Sequence, residues 1–225
     1  MLLKKLLAIG LLTAGLLEGG MDAAMPDKDI DGTLYLANRS QILASEYVPE
    51  TEVLGVAGQR QSMRPDAAAA IRTMFEAAKG DKVTLLSVSG YRSYSKQKLI
   101  YSRKVKSSGK AKANTLVALP GASEHQLGLA LDVGQKSYTN LNAGFGKTPG
   151  GQWLVKHAHE YGFIIRYQEG QEEITGYAYE PWHVRFLGPL HAAAIFDAGV
   201  PLETYLSSYR LGVAQYLLSI LEVHP

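Results

Sequence analysis

The stretch GASEHQLGLALDVG, residues 121–134, decides which fold and which site this sequence can form. From Leu127 onward apolar residues occupy every second position, and the positions between them hold two small residues and then Asp132. Because successive side chains of a β-strand point to opposite faces, this alternation predicts a strand with one face in the core and a carboxylate on the other. His125 has the parity of the core face, so the chain must turn before Leu127 if this imidazole is to reach Asp132.

A second stretch, EPWHVRF at residues 180–186, raises a matching question of geometry. Pro181 disfavours a helical conformation at Glu180, so Glu180 and His183 are expected on an extended segment. Residues three positions apart on a regular strand point to opposite faces. The two side chains can share one face only if a β-bulge re-aims one of them, as often happens beside active sites.

Two imidazoles and one carboxylate form the ligand set of an open, catalytic zinc site, in which water takes the fourth position. The sequence contains no cysteine, so histidine, aspartate and glutamate are the residues that would hold a metal. Zinc polarises a carbonyl oxygen and lowers the pKa of a water molecule to about 7, and a nearby carboxylate can accept that proton. Glu180 is the free carboxylate, so the residues allow hydrolysis of the metallopeptidase kind, without the HExxH helix motif.

The same residues resemble a known family. SEHQLGLALD fits the pattern SxHxxGxAxD and EPWH fits ExxH, the two motifs of the LAS metallopeptidases, named for lysostaphin, the D-alanyl-D-alanine peptidases and sonic hedgehog. The sequence is most similar to the VanY-type D-alanyl-D-alanine carboxypeptidases, through EYVPE, SGYRSYSKQ, PGASEHQLGLALD and EPWHVRF. The resemblance covers about residues 33–207.

This resemblance implies a role for each matching residue. It implies that Zn2+ is bound by His125, Asp132 and His183, and that Glu180 is the catalytic base and proton shuttle. Arg92 matches the arginine that polarises the scissile carbonyl or holds the substrate. Substrate-binding positions are implied for Gln97, Ser123 and Trp182.

The reaction implied is the removal of the terminal D-alanine from peptidoglycan stem pentapeptides. Two other reactions share the same zinc chemistry: an L,D-carboxypeptidase that acts on tetrapeptides, and an endopeptidase that cuts inside the stem. A cell-wall binding module that uses the cleft without turnover is a further alternative, which the presence of Glu180 disfavours because binding alone does not require this carboxylate.

The N-terminal residues predict export. Lys4 and Lys5 precede an uncharged apolar run over residues 6–17, which has the length of a signal-peptide core. An uncleaved membrane tether and a buried N-terminal helix are the alternatives. The expected location is the periplasm or cell envelope, with contact to a membrane only through this segment.

Composition and element pattern predict an α+β domain with a mainly antiparallel central sheet flanked by helices. A helix is predicted at residues 66–79 with Asp66 as its N-cap, a short strand at FIIRY, residues 163–167, and a longer extended run from Ile174. Helices alternate with strands without regular βαβ spacing or a glycine-rich phosphate loop. The expected division is a signal peptide at residues 1–24, a zinc domain at 25–207 and an extension at 208–225, whose leucine-rich stripe suits a packed or a membrane-facing helix. Oligomeric state is left open.

Seven basic residues and no acidic one lie between Lys96 and Lys112. The glycine and serine content of KSSGKAKAN, residues 106–114, is typical of a solvated surface loop. The alternative is a patch that steers an anionic polymer toward the protein. Nucleic acid is not the expected polymer, because aromatic residues do not alternate with the basic ones as they do in a base-stacking platform.

Overall fold

The motifs of the sequence lie on a four-stranded antiparallel sheet. The computed structural model describes residues 29–223, so the predicted export segment lies outside the described residues. The strands are β1 (Glu52–Val53), β2 (Ser62–Met63), β3 (Leu85–Ser89), β4 (Ala130–Gln135), β5 (Phe163–Tyr167) and β6 (Glu180–Phe186). The central sheet has the order β3–β4–β6–β5 with every pair antiparallel, while β1 and β2 form a separate ribbon. The predicted α+β fold is confirmed.

Seven helices accompany the strands in the described part of the chain. They are α1 (Pro65–Gly80), α2 (Tyr94–Ser108), α3 (Lys110–Leu116), α4 (Pro149–His157), α5 (Glu172–Thr175), α6 (Pro189–Ala198) and α7 (Leu202–Val223). Within residues 29–223, no helix is long and apolar enough to cross a membrane. Residues 37–201 form one compact unit that contains the sheet and α1–α6, and residues 29–36 group with α7 in another. The predicted boundary at residue 207 falls inside α7.

Helix α1 confirms the helix predicted for residues 66–79 but corrects how it starts. Its buried stripe includes Ile71, Met74 and Phe75. The predicted N-cap, Asp66, lies instead within the first turn, and Pro65 occupies the first helical position. Proline suits this position because its fixed φ matches the helix and its missing N–H would have no partner inside the helix.

The loop predicted for residues 106–114 is wrong, because most of this segment is helical. Within this segment only Gly109, at φ 77°, interrupts the helical conformation, and α3 starts directly after it. Alanine is the strongest helix former, and the buried side chain of Ala113 fixes α3 against the protein. The Gly and Ser content therefore marked a break between two helices, which form a helical hairpin at residues 94–116.

Strand β4 is shorter than the alternation of the sequence predicts. A 3₁₀ turn at Glu124–Leu127 and a left-handed residue, Gly128 at φ 71°, precede it. The predicted turn before the strand is therefore confirmed, although it includes Leu127. The extended run predicted from Ile174 onward is also shortened, since α5 takes up its first residues and the strand begins only at Glu180.

Candidate metal and catalytic site

Strands β4 and β6 place two of the predicted metal ligands opposite each other. Asp132 and His183 are paired across the antiparallel ladder, so their side chains leave the same face of the sheet. His125 reaches them from the 3₁₀ turn, and its Nδ1 lies 2.8 Å from the carbonyl oxygen of Gly90. That hydrogen bond orients the ring with Nε2 toward Asp132, at 3.3 Å from Oδ2.

A bulge in β6 brings Glu180 to the same place. Ile165 pairs with Val184 and Tyr167 pairs with Glu180, so two steps along β5 correspond to four along β6. The extra residues turn Glu180 toward His183, with 3.7 Å between Oε2 and Nδ1. The irregularity that the spacing of EPWH required is present.

The three predicted ligands fit a zinc ion. Their ligand atoms lie within 4.8 Å of one another, and all three side chains are buried. His183 Nδ1 is 3.3 Å from Asp132 Oδ1, an oxygen that has no well-formed hydrogen bond from any residue in the described range. A buried carboxylate whose two oxygens face two imidazole nitrogens is an environment that a cation satisfies, and this donor set is that of a catalytic zinc centre.

A layer of buried charges supports the site from behind. Glu124 Oε1 accepts hydrogen bonds from Arg166 Nε at 2.8 Å and Arg185 Nη1 at 2.7 Å. Its other oxygen faces His183 Nε2 at 3.5 Å, and neither of these two atoms has another hydrogen-bond partner among residues 29–223. We call Glu124, Arg166 and Arg185 the ionic layer. A carboxylate behind the outer nitrogen of a metal-binding histidine fixes both the tautomer and the orientation of the ring.

Sequence reasoning missed the ionic layer. Two signals were available: arginines among the apolar residues of FIIRY and VRF, and a glutamate directly before the predicted ligand His125 in SEHQ. Charged residues are rarely buried unless they are paired, so Arg166 and Arg185 required an acidic partner. Their pairing with Glu124 depends on the β5–β6 register, which the sequence does not state.

Burial and neighbouring charges set the protonation of the site in the metal-free protein. Burial raises the pKa of Asp132, but the His125 and His183 imidazoles outweigh this and hold the pKa well below its usual value. Burial lowers the pKa of His125, and Arg92 lowers it further. For His183, burial is outweighed by the Asp132 and Glu124 carboxylates, which raise its pKa to about 9. The Asp132 and Glu124 carboxylates thus favour a positive charge at the position of the His183 ring.

Glu180 has the opposite environment to Asp132. Burial raises its pKa to about 7, and the positive charges of His183 and Arg92 offset only part of that effect. A carboxylate with this pKa is a much stronger base than an ordinary glutamate, which suits a group that has to take up and release a proton near neutral pH.

Arg92 lies beside the site and is held by two other side chains. Its Nη1 donates to Gln97 Oε1 and its Nη2 to Ser89 Oγ, both at 2.8 Å, while Nη2 is 3.6 Å from Asp132 Oδ2. Gln97 in turn donates from Nε2 to the carbonyl of Ala118 at 2.7 Å. Gln97 thus connects Arg92 to the segment that follows α3, and its predicted contact with substrate stays a prediction.

These groups open into a cleft of about 220 Å³. Ser123 and Trp182 line it with Arg92, Gln97, Glu180 and the three predicted ligands. Ser123 is almost fully buried, whereas Trp182 is half-buried on the wall. A larger, mostly apolar cavity of about 290 Å³ lies between α4, α6 and β5 and contains none of these residues.

Comparison with protein families and curated proteins gives consistent results. The family model VanY, described as D-alanyl-D-alanine carboxypeptidase, matches residues 60–189. The putative carboxypeptidase YodJ of Bacillus subtilis (strain 168) is 42% identical over 188 residues, which are 80% of this chain and 69% of YodJ. A D-alanyl-D-alanine carboxypeptidase of Enterococcus faecalis (strain ATCC 700802 / V583) is 38% identical over 79% of this chain and 67% of its own length.

Solved structures share the fold over most of the chain. The LD-carboxypeptidase LdcB is 41% identical and covers 80% of this chain and 88% of its own, with a TM-score of 0.75. A variant of the vancomycin-resistance D,D-pentapeptidase VanY in complex with Zn(II) is 35% identical, with coverage of 77% and 98% and a TM-score of 0.68. VanYB in complex with D-alanine-D-alanine is 34% identical, with coverage of 78% and 97% and a TM-score of 0.69.

Proposed function

Because the chain belongs to the VanY family of D-alanyl-D-alanine carboxypeptidases, we propose that it removes the terminal D-alanine from peptidoglycan stem pentapeptides. The observation that carries this proposal is the juxtaposition of Glu180 with the three predicted ligands in one cleft, 3.7 Å from His183. The relative from Enterococcus faecalis bears the name of this activity.

His125, Asp132 and His183 would hold the zinc ion. When bound, zinc supplies a Lewis acid that polarises the scissile carbonyl and lowers the pKa of a water molecule. Glu180 takes a proton from the water whose oxygen adds to the carbonyl carbon of the penultimate D-alanine. As the C–N bond breaks, Glu180 returns the proton to the departing amine, so that one carboxylate serves both steps.

Arg92 is positioned to stabilise the negative charge that develops on the carbonyl oxygen. Hydrogen bonds to Gln97 and Ser89 restrain its guanidinium near the metal ligands. A donor that is already oriented needs little reorganisation during the reaction, and this is what makes such electrostatic stabilisation effective. Trp182 and Ser123 would shape the part of the cleft that receives the peptide end.

An L,D-carboxypeptidase is the second candidate function. LdcB, the solved structure with the TM-score of 0.75, is an LD-carboxypeptidase. The two activities differ in the configuration of the residue before the scissile bond, so they depend on the shape of the cleft wall and not on the zinc chemistry. The proposed export fits either activity, because Lys4 and Lys5 precede an apolar run and both substrates lie outside the cytoplasm.

The test is to incubate the zinc-loaded protein with a muramyl pentapeptide ending in D-Ala-D-Ala and, separately, with the tetrapeptide. We expect mass spectrometry to show loss of one alanine from the pentapeptide. Glu180→Gln should lower kcat by about 10³-fold or more while zinc content, measured by elemental analysis, stays unchanged. Cleavage of the tetrapeptide alone would favour the L,D-carboxypeptidase, and full activity of Glu180→Gln would contradict the proposed base.

A further inference from the structure

Positive charge is segregated in one part of the chain. The whole sequence has 23 Lys and Arg residues and 21 Asp and Glu residues. Residues 82–123 contain nine of the basic residues and none of the acidic ones, which leaves 14 basic and 21 acidic residues for the rest of the sequence. A nearly neutral chain therefore contains a strongly positive segment.

Seven of these nine basic residues lie on the helical hairpin of α2 and α3, which we call the basic hairpin. Six of them are exposed and Lys104 is half-buried. None of the seven lies within 4 Å of a carboxylate in the part of the chain that the structure describes. The seven are Lys96, Lys98, Arg103, Lys104, Lys106, Lys110 and Lys112.

The basic hairpin is also one wall of the catalytic cleft. Ile100 of α2 and Leu116 of α3 line the cleft, together with the two residues after α3. Tyr101 donates a hydrogen bond to Asn114 Oδ1 at 2.7 Å, which joins the two helices. The backbone N–H of Ala178 donates to the carbonyl of Thr115 at 3.0 Å, which joins the hairpin to the segment before β6. The hairpin that carries these positive charges is therefore held against the cleft.

We propose that the basic hairpin binds the anionic peptidoglycan strand while one of its stem peptides occupies the cleft. The inference rests on the proposed function, because each stem that ends in D-alanine carries a free carboxylate and a strand carries many such stems. Six of the seven basic residues are lysines, whose flexible ammonium groups suit carboxylates at irregular positions better than the fixed fork of arginine would. The 15 residues of α2 span about 22 Å, enough to face more than the stem being cut.

With this arrangement, the turnover of a polymeric substrate should depend on the basic hairpin more strongly than the turnover of a single soluble stem does. A charged surface beside a cleft raises the local concentration of an oppositely charged polymer and its association rate by about 10-fold to 10³-fold at low salt. The effect should vanish at high salt, because the screening length falls from about 10 Å at 0.1 M to about 3 Å at 1 M. A soluble stem has only its own charges, so its turnover should depend much less on the basic hairpin.

The experiment compares two triple variants of the zinc-loaded full chain that make the same change in charge. Lys106→Gln, Lys110→Gln and Lys112→Gln alter the basic hairpin. Lys136→Gln, Lys147→Gln and Lys156→Gln alter exposed lysines elsewhere. For each protein, kcat/KM is measured on insoluble, uncrosslinked peptidoglycan with pentapeptide stems and on the soluble muramyl pentapeptide, at about 0.02 M and about 0.5 M NaCl.

We expect the hairpin variant to lose about tenfold or more on the polymer at low salt, to match the control variant at high salt, and to keep its activity on the soluble stem. Equal losses in both variants, or an equal loss on both substrates, would overturn the inference. The inference would also be overturned if activity depended on the hairpin only while phosphodiester polymers remain attached to the peptidoglycan. The hairpin would then bind the phosphodiester polymer and not the peptidoglycan strand. If the unmodified protein cleaves neither substrate, the proposed function fails, and co-sedimentation of the variants with the polymer still tests binding separately.

Discussion

Glu124 of the ionic layer and the basic hairpin both line one cleft, but the charges of the two groups have opposite environments. Arg166 and Arg185 are fully buried and share the Glu124 carboxylate at 2.7–2.8 Å. Five of the six lysines of the hairpin are exposed, and none of the six has a carboxylate within 4 Å among the described residues. Buried charges interact strongly and demand fixed partners, while exposed charges are screened and act over a surface. The buried charges therefore fix geometry, and the exposed charges would act on the encounter with the proposed peptidoglycan strand.

The largest effect should come from Glu124→Gln, which removes the carboxylate that the buried Arg166 and Arg185 share. Removing one partner of a buried ion pair costs about 3–5 kcal/mol, and losing the carboxylate behind His183 should weaken zinc binding by about 10-fold to 100-fold. Urea denaturation of the metal-free protein and competition titration with a chelator measure the two quantities.

Glu76→Gln provides the matched control, because Glu76 pairs with Lys79 at 3.4 Å on an exposed helix surface. An exposed pair of this kind contributes about 0.5 kcal/mol or less. If Glu124→Gln were no more destabilising than Glu76→Gln, the ionic layer would not be a strong electrostatic unit, and the contrast with the surface would be broken.

A second test concerns Glu180, whose carboxylate, unlike that of Glu124, accepts no hydrogen bond from an arginine among residues 29–223. In the folded, metal-free protein the pKa of Glu180 is raised to about 7 from an ordinary value of 4.5. Between these values the folded state binds more protons than the unfolded state, so stability falls as pH rises. Glu180→Gln removes the ionisation, and it should stabilise the metal-free protein by up to about 3 kcal/mol at pH 8.

The effect of Glu180→Gln should disappear below about pH 4.5, where the carboxyl is protonated in both states. Thermal or urea unfolding at several pH values provides the curve. A stabilisation that is the same at acid and at alkaline pH would mean that packing and not ionisation is responsible.

The smallest effect is expected within the basic hairpin. Tyr101→Phe removes the hydrogen bond to Asn114 and should cost about 0.5–1.5 kcal/mol in urea denaturation. Tyr94→Phe is the control, because no hydrogen bond of this hydroxyl is found among residues 29–223. A loss of unfolding free energy comparable to that of Glu124→Gln would mean that the hairpin contributes as much to stability as the ionic layer does.

Much of the fold and of the candidate site could be predicted from the sequence, because the relevant patterns are local. Helix α1, the strand FIIRY and the need for a turn before β4 all follow from the spacing of apolar residues within a short window. The helix α3 was not predicted, because the same glycine and serine residues fit a loop or a break between helices. Only the burial of Ala113 against the rest of the protein distinguishes the two.

The sequence by itself determined the type of chemistry. The absence of cysteine restricts a metal to nitrogen and oxygen ligands, and the motifs around His125 and His183 supply an open zinc site and a free carboxylate. Only the tertiary structure decided how these groups are oriented. The bulge that turns Glu180 inward and the ionic layer behind His183 both arise from strand register. Register depends on pairing between segments distant in sequence, and a residue's own neighbours in the chain do not specify it.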